Sequence, residues 1–212
     1  MKRAKTSNPW WLDRHVHDPF VKQARKEGYR SRAAYKLLGL DERDHLLRPG
    51  MTIVDLGAAP GGWCQVAAKK VGSKGKVIGI DLLKTPPLAG VSLIRGDFAS
   101  DAGLKELESA LQGHKVDLVL SDMAPNLSGV KDADQAKHYA LAELALDFAV
   151  KWLNPNGVFV VKVFQGSGFE DYFRQVRVSF CQVVTRKPEA SRDESLENYL
   201  VARGVAKLAE QA

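Results

Sequence analysis

The sequence predicts an α/β fold, in which a doubly wound, mostly parallel sheet of seven strands follows a short basic helical arm. Short apolar runs of strand length alternate along the chain with stretches of helical periodicity, which is the order of a parallel sheet covered by helices. The length of 212 residues, of which 45% are hydrophobic, suits one domain with a sizeable core and is short of the usual division into two.

Seven segments have the length and composition of strands, and most are rich in β-branched residues. Such near-continuous apolar runs are typical of strands that are buried on both faces of a parallel sheet. The segments are residues 51–55, 76–81, 91–95, 116–121, 158–164, 180–186 and 198–203.

Two helices are predicted in the arm. Asp18 has the position of an N-cap, Pro19 takes the first helical position and Gly28 ends the helix. A second short helix is expected over about residues 31–38.

Further helices are predicted by apolar periodicity after the first strand. They are expected over residues 61–71 and near 168–177, and the clearest begins near Asp132 and ends before residues 154–157. Its apolar residues recur at helical spacing and predict one buried face, made of Leu141, Leu144, Ala145, Phe148, Ala149 and Trp152.

The turn after the first strand has the composition of a ligand-binding loop, Asp55-Leu-Gly-Ala-Ala-Pro-Gly-Gly-Trp63. Gly57 and Gly61 let the backbone approach a ligand with no Cβ in the way. Ala59 stands where a G-x-G-x-x-G dinucleotide fingerprint needs glycine, and the Gly-Lys-Ser/Thr ending of a phosphate loop is absent. This spacing, with Asp81 about 20 residues on, is typical of S-adenosylmethionine (SAM) methyltransferases. The alternative is a purely structural turn that packs helix against sheet.

Aspartates also stand at the ends of the following strands, and they favour the ligand-binding interpretation. Asp81 is expected to accept hydrogen bonds from both ribose hydroxyls. Asp97 is expected to accept one from the adenine amino group, while Phe98 covers the adenine ring. Asp122 ends the fourth strand. Since open α/β sheets bind ligands at the carboxyl ends of their strands, the set predicts a cofactor site.

Positive charge is concentrated in residues 1–36. This segment holds ten lysines and arginines against three acids, whereas the rest of the chain holds 21 and 22, so the net charge of +6 belongs to the arm. Aromatic residues are interleaved with these cations: Trp10, Trp11, Phe20, Tyr29 and Tyr35. Cations neutralise phosphates and aromatic rings stack on unpaired bases, which predicts an RNA-contacting surface. A solvated tail with a charged helix is the alternative.

The sequence argues against a membrane or secreted protein. No apolar run is long enough to span a bilayer, and the basic N-terminus lacks the apolar stretch and cleavage site of a signal peptide, so we expect a cytoplasmic protein. Cys64 and Cys181 form neither a C-x-x-C pair nor a zinc site. We expect both to be buried and reduced, and we expect no bound metal.

Lys162 interrupts the apolar strand 158–164, where an unpaired charge is costly to bury. It lies near the end of the strand that should neighbour Asp122, and we expect it to face the cofactor crevice. Lys36 lies in the second arm helix, and Glu197 opens the last strand. A strand lysine that extends to solvent is the structural alternative for Lys162.

Five motifs occur together in this chain: Arg30-Ser-Arg-Ala33 with Lys36, the turn Asp55 to Trp63, Ser121-Asp-Met-Ala-Pro-Asn126 with Ser128-Gly129, Val161-Lys-Val-Phe-Gln-Gly166, and Arg186-Lys-Pro188 through Tyr199. With this combination the chain resembles the FtsJ family of ribosomal-RNA 2′-O-methyltransferases over about residues 8–204. Cys64, where a serine is expected, and Gly39 depart slightly from the family's pattern.

The resemblance implies a Rossmann-like SAM-dependent methyltransferase domain over residues 37–212, preceded by an RNA-contacting arm over residues 1–36. It implies methylation of a uridine ribose in large-subunit (23S) ribosomal RNA, within the assembled 50S subunit, by a protein that acts as a monomer. The implied catalytic tetrad is Lys36, Asp122, Lys162 and Glu197. The implied cofactor-binding residues are Asp55, Gly57, Pro60, Gly61, Trp63, Asp81, Asp97, Phe98 and Asp122.

A ribose 2′-hydroxyl is a poor nucleophile until its proton has somewhere to go, so the protein must align the hydroxyl and assist its deprotonation. Lys162 can act as the general base only in its neutral form, which Lys36 and the sulfonium of SAM would favour. Asp122 is then expected to orient Lys162 and SAM, with Glu197 in a supporting role. In the alternative, Lys162 stays charged and steers the hydroxyl lone pair.

Other functions fit the sequence less well. The Asp122-Met-Ala-Pro125 run lacks the aromatic residue of base N-methyltransferases, and Ala59 argues against an NAD-dependent oxidoreductase. The remaining alternatives are a 2′-O-methyltransferase acting on another RNA (tRNA or an mRNA cap) and a non-catalytic RNA-binding module. The chain has no insertion able to build a cap pocket, and a non-catalytic module would be expected to have lost the tetrad lysines.

Overall fold

The computed structural model of the chain describes residues 18–125, 128–192 and 194–206. Its strands are β1 (Thr52–Leu56), β2 (Lys76–Asp81), β3 (Val91–Arg95), β4 (Val116–Ser121), β5 (Leu153–Phe164), β6 (Phe180–Arg186) and β7 (Glu197–Val205). They form one sheet in the order β3-β2-β1-β4-β5-β7-β6. Strands β1 to β5 pair in parallel, and β7 runs antiparallel to β5 and to β6. The predicted α/β class and mostly parallel seven-stranded sheet are confirmed.

The described helices are α1 (Pro19–Glu27), α2 (Ala33–Asp44), α3 (Gly62–Val71), α4 (Asp101–Leu111), α5 (Lys131–Trp152) and α6 (Phe169–Ser179). Helix α1 begins and ends as predicted. Asp18 accepts a hydrogen bond from the backbone N–H of Phe20 at 3.0 Å, and Gly28 ends the helix in the left-handed conformation at φ 75°.

The sheet divides the interior into two cores. On one face, Ile53 of β1 packs with α2 and α3 through Leu37 and Trp63. On the other face, the next residue, Val54, belongs to a cluster with α4, α5 and α6, of which Phe148 is a member. Successive side chains of a strand point to opposite faces, and both faces are covered here, which explains the near-continuous apolar runs of the central strands.

Helices α2 and α4 differ from the prediction. Helix α2 does not end near residue 38 but continues to Asp44, because Leu40 is still buried against the core. Helix α4 has no counterpart among the predicted helices. Ser100 caps it by accepting a hydrogen bond from Gly103 N–H at 3.1 Å, and its apolar side packs on the sheet through Leu107 and Leu111.

Three smaller expectations are also wrong. Strand β5 begins at Leu153, which pairs with Val116 ahead of a register shift, and not at residue 158. Leu144 is 39% exposed, because α5 contacts the sheet along a neighbouring stripe of buried residues. Cys181 is exposed because β6 is an edge strand, whereas Cys64 is buried as expected. The buried stripe of α5 comprises His138, Tyr139, Ala142, Ala145, Leu146, Phe148 and Ala149.

The chain changes direction within the sheet between β1 and β4. From β1 it moves outward through β2 to β3, and it then returns to β4 on the other side of β1. The connections after β1 and β4 therefore diverge and leave a crevice at the carboxyl ends of these strands. This is where open α/β sheets bind their ligands.

Candidate active site

The turn after β1 holds its shape through glycine conformations and through Asp81. Gly57 has φ 82°, and a Cβ added to it would lie 2.7 Å from Met123 Cγ. Asp81 accepts one hydrogen bond from Ala59 N–H at 2.9 Å and another from Leu83 N–H at 2.7 Å. Asp81 thereby fixes the turn after β1 as well as the start of the loop after β2.

A cavity of about 350 Å³ opens between the ends of β1, β2, β3 and β4. Five of the predicted cofactor-binding residues line it: Gly57, Asp81, Asp97, Phe98 and Asp122. The other lining residues are not among the predicted cofactor-binding residues. They are Ala59, Ile80, Leu82, Leu83, Gly96, Ala99, Met123, Ala124 and Leu141. Met123 and Ala124 directly follow Asp122 in the sequence, so this position could have indicated that they line the site.

The other predicted cofactor residues support the turn from behind. Pro60 and Gly61 belong to the turn itself, and Gly61 is the N-cap of α3 at φ 107°. Trp63 is buried and donates a hydrogen bond from Nε1 to the Ala33 carbonyl at 2.7 Å. Asp55 is buried at the end of β1. None of these four residues is among those that line the cavity.

The acids around the cavity form a negatively charged group that suits a cationic ligand. Asp55 accepts a hydrogen bond from the Cys64 thiol at 3.1 Å, while its Oδ1 has no partner among the described residues. Burial raises the pKa of Asp55 to about 7, and the charges of Asp122 and Asp81 act in the same direction. SAM carries a sulfonium and an α-ammonium group, so its positive charges fit this concentration of carboxylates.

Lys162 lies beside Asp122 at the edge of this cavity. Its Nζ is 3.1 Å from Asp122 Oδ1 and donates to the Asp122 backbone carbonyl at 2.7 Å. Lys162 is only 6% exposed, so its amine lies in a partly desolvated position. Burial by itself raises the pKa of Asp122, but the positive charges of Lys162 and Lys36, with hydrogen bonds from Lys162 and Tyr199, bring the pKa below its usual value.

The remaining two tetrad residues are joined to this pair through Tyr199. Lys36 Nζ lies 2.6 Å from Glu197 Oε1 and 3.2 Å from the Tyr199 hydroxyl oxygen. The Tyr199 hydroxyl donates to Asp122 Oδ1 at 2.9 Å. Burial raises the pKa of Tyr199, with Asp122 and Glu197 adding to the effect, so the hydroxyl keeps the proton that it donates. The four predicted catalytic residues therefore belong to one connected network.

Comparison with known proteins gives the family. Residues 29–205 match the family model of FtsJ-like methyltransferases. The chain belongs to the FtsJ-like methyltransferase family. It is 60% identical over 207 residues to the ribosomal RNA large subunit methyltransferase E of Thiobacillus denitrificans, which covers 98% of this chain and 94% of that protein. It is 56% identical over 204 residues to the protein of the same name from Nitrosospira multiformis, covering 96% and 98% of the two chains.

A solved structure supports the same family. A ribosomal RNA methyltransferase from Plasmodium falciparum matches with a TM-score of 0.75 at 33% identity, over 84% of this chain and 98% of that chain. The predicted FtsJ resemblance and the Rossmann-like methyltransferase fold are thus confirmed.

Two residues that the sequence analysis missed complete the centre of this FtsJ-like site. Tyr199 lies two residues after Glu197 on β7, and residues at this spacing share one face of a strand, which is a signal in the sequence. His138 of α5 gave no such signal. Its Nε2 is 3.1 Å from the Lys162 carbonyl oxygen, and its Nδ1 has no partner in the described part of the chain.

The described part of the arm, residues 18–36, packs against the domain of this FtsJ-like protein. Tyr29 and Phe20 both pack on Tyr35, with ring centroids 5.6 and 5.5 Å apart. Lys69 of α3 lies 4.4 Å from the Tyr29 ring centroid. The predicted boundary at residue 36 falls inside α2. The predicted contacts of Trp10 and Trp11, and of the cations in residues 1–17, lie outside the described residues.

Two general features of the described residues bear on function. None of their helices combines the length and the apolar composition that crossing a bilayer requires. The same ranges contain no group of histidine, cysteine, aspartate and glutamate side chains that could hold a metal ion.

Proposed function

We propose that this methyltransferase transfers the methyl group of SAM to the ribose 2′-hydroxyl of a uridine in large-subunit (23S) ribosomal RNA, within the assembled 50S subunit. The relatives from Thiobacillus denitrificans and Nitrosospira multiformis are both named ribosomal RNA large subunit methyltransferase E, and they match almost the full chain. The network around Lys162 is the structural observation that supports methyl transfer to a ribose hydroxyl.

The cavity between the strand ends is the proposed SAM site. Asp81 and Asp97 line it and are expected to accept hydrogen bonds from the ribose and the adenine, and Phe98 and Leu141 line the same cavity with apolar surface. Asp55, Pro60, Gly61 and Trp63 act by holding the turn in position. SAM would supply a methyl group that is already activated by the sulfonium. Asp122 belongs to both the cavity and the network, so it brings the two together.

Lys162 is the proposed general base. A neutral lysine amine has two N–H donors and one lone pair, and the two Asp122 acceptors match the two donors. One position on Nζ is therefore left for the substrate hydroxyl. With SAM bound, the ribose oxygen would form its bond to the methyl carbon as the carbon–sulfur bond breaks and leaves its electron pair on sulfur, and the hydroxyl proton would pass to this position on Lys162 Nζ.

Lys36, Glu197 and Tyr199 are proposed to position Asp122 and the substrate. Glu197 accepts from Lys36 and, at 2.9 Å, from the Ser191 hydroxyl, so the Lys36 charge has a fixed partner. The Tyr199 hydroxyl, which contacts Lys36 and donates to Asp122, connects this pair to Asp122. We also propose that the exposed cations of the arm contact the RNA backbone, since α1, which carries several of them, directly precedes α2, the helix that carries Lys36.

Substitution of Lys162 tests this chemistry. We expect Lys162→Ala to keep most SAM affinity, because Lys162 does not line the cavity, and to lower methyl transfer by roughly 10²-fold or more. Lys162→Arg should not restore transfer, because arginine stays charged near neutral pH. A substantially active arginine variant would eliminate the general-base role and leave only charge steering.

The control is Lys76, a half-buried lysine of strand β2, whose Nζ donates to the Ala110 carbonyl at 2.7 Å. Lys76→Ala and Lys76→Arg should leave methyl transfer close to that of the wild-type chain. The substrate itself is tested by mass-spectrometric mapping of 2′-O-methyl groups on ribosomal RNA from cells with and without the protein. No difference in large-subunit RNA would contradict the proposed substrate, whereas a difference in tRNA would favour another RNA.

A further inference from the structure

Arg30 connects the arm to two loops of the cofactor cleft. Its Nη1 donates to the Pro86 carbonyl at 2.7 Å and to the Pro60 carbonyl at 3.3 Å, and its Nη2 donates to the Pro87 carbonyl at 2.7 Å. Pro60 belongs to the turn after β1, and the other two prolines belong to the loop after β2. One guanidinium group therefore holds together two segments that approach the cleft from different strands.

Both loops have their own part in the cleft. The turn after β1 contributes Gly57 and Ala59 to the cavity lining, and the loop after β2 contributes Leu82 and Leu83. These two leucines are 58% and 68% exposed, so the first part of the loop has little apolar packing, whereas Leu88 near its end packs against the core. At its start the loop is fixed by Asp81, and Arg30 fixes its middle through the proline carbonyls.

Arg30 is itself held in a fixed position. Gln65 of α3 accepts a hydrogen bond from Arg30 N–H at 2.7 Å and donates to the Gly28 carbonyl at 3.0 Å. Gly61 leaves room for the guanidinium, since a Cβ at that position would lie 2.9 Å from Arg30 Nη1. The fork of a guanidinium suits carbonyls in different directions, which a single lysine ammonium cannot reproduce.

We propose that Arg30 is a positioning residue for the cofactor: it sets the distance between the two loops that enclose SAM, instead of contacting RNA phosphate. This inference rests on the proposed SAM site. Because its donors are directed at protein carbonyls, loss of Arg30 should free the loop after β2 and weaken SAM binding. The salt dependence of RNA binding should stay as it is.

Calorimetry of SAM binding to the full chain tests this role. We expect Arg30→Ala to weaken SAM binding by roughly tenfold, the scale of losing charge-assisted hydrogen bonds that order a loop. In turnover, KM for SAM should rise by a similar factor, with kcat at saturating SAM and RNA within about twofold of the wild-type value. Arg30→Lys should recover only part of the affinity. Arg174→Ala, which removes an exposed arginine of α6 on the opposite face of the sheet, serves as control and should change neither quantity.

Hydrogen exchange of the SAM-free chain gives an independent readout. Arg30→Ala should accelerate exchange in residues 57–62 and 82–90, while the amides of β4 and β5 keep their protection. A merely structural role would instead lower protection and melting temperature throughout, with kcat and KM changing together.

Three results would overturn the inference: unchanged SAM affinity in Arg30→Ala, unchanged exchange in the two loops, or a loss confined to RNA affinity with a shallower salt slope. If the wild-type chain failed to bind SAM, the proposed function would be overturned together with this role. Faster exchange in the two loops of Arg30→Ala would then still show that Arg30 holds these loops in place. The exchange result therefore distinguishes a failure of the proposed SAM site from a failure of the contacts proposed for Arg30.

Discussion

Lys162 and Tyr199 are direct partners across strands β5 and β7, and this register creates the network. Antiparallel pairing sets Tyr199 opposite Lys162 and Glu197 opposite Phe164. Opposed side chains of an antiparallel pair lie close together on one face of the sheet. The Tyr199 hydroxyl can therefore meet Asp122 from the side of β7 while Lys162 meets it from β5.

His138 lies directly behind Lys162 and should give the fold a measurable pH dependence. Its ring is 4.8 Å from that of Phe164, and Nε2 lies near the Lys162 carbonyl oxygen. Burial, and then the positive charge of Lys162, lower the pKa of His138 to about 4. Its folded pKa is below the unfolded value of about 6.5, so the unfolded chain binds the proton first, and stability falls as the pH drops through this interval.

We predict that His138→Gln removes this decrease of stability at low pH. Between pH 7 and pH 4, the free energy of unfolding of the wild-type chain should decrease by ~3 kcal/mol relative to the variant. Urea unfolding at a series of pH values measures the difference. The raised pKa of Asp55 acts in the opposite direction, but it is present in both proteins and cancels in the comparison. Parallel pH curves for the two proteins would contradict the assignment.

At the scale of elements, α2 joins the arm to the catalytic network. Lys36 lies in its first half, and Leu37 and Leu40 bury its other face against the core. Gly39 stands in the middle of this helix at an ordinary helical φ, and a Cβ added to it meets no atom within 4 Å. Glycine therefore lowers the stability of the helix at this position, although nothing in its surroundings requires a glycine.

We predict that Gly39→Ala stabilises the protein. Alanine restricts the unfolded chain and suits a helix better than glycine, which should raise the free energy of unfolding by ~0.5–1 kcal/mol and the melting temperature by about 1–4 °C. Thermal unfolding measures the change, and SAM affinity should stay the same. A lower melting temperature would show that this part of α2 needs the freedom of glycine.

Gly79→Ala is the matched contrast within the sheet. A Cβ at Gly79 of β2 would lie 2.8 Å from Ala58 Cβ and 2.9 Å from Cys64 Sγ. We expect this variant to lose ~1–3 kcal/mol of stability, because a packed interior resists added atoms.

At the scale of the molecule, the two faces of the sheet have different partners. Tyr29 and α2 lie on the face of α3, and α1 packs on α2 through Phe20 and Tyr35, whereas α4, α5 and α6 cover the other face. Exposed cations occur on both: Lys22, Arg25 and Lys26 on α1, and Lys105, Arg174 and Arg177 on α4 and α6. If RNA reaches the site from the side of the arm, the three cations of α1 lie near the RNA backbone, and the three cations of α4 and α6 do not.

We predict that replacing Lys22, Arg25 and Lys26 together by glutamine makes the salt dependence of RNA binding shallower. The slope of log K against log salt should fall by about two, as for three lost contacts to single-stranded phosphates. Filter binding over a range of salt concentrations measures the slope. Replacing Lys105, Arg174 and Arg177 by glutamine removes the same charge from the opposite face and should leave it unchanged. Equal slopes for both triple variants would contradict an arm-side path for RNA.

Local features of the sequence predicted the architecture and the crevice at the strand ends. The turn from Asp55 to Trp63, the alternation of strands and helices, and the aspartates at strand ends predicted the sheet and the crevice. These features are local, because they depend on residues adjacent in the chain. Helix α4 also has local signals, which the prediction overlooked: Ser100 caps it, Leu104, Leu107 and Leu111 recur at helical spacing, and Gly113 follows its C-cap.

Only the tertiary structure decided how distant residues meet. The contact of Tyr199 with Asp122, the placement of His138 behind Lys162 and the three carbonyls around Arg30 join residues that are far apart in sequence. Such contacts depend on strand register and on how helices pack against the sheet. Spacing along the chain specifies neither of these, because both arise only when the whole core is assembled.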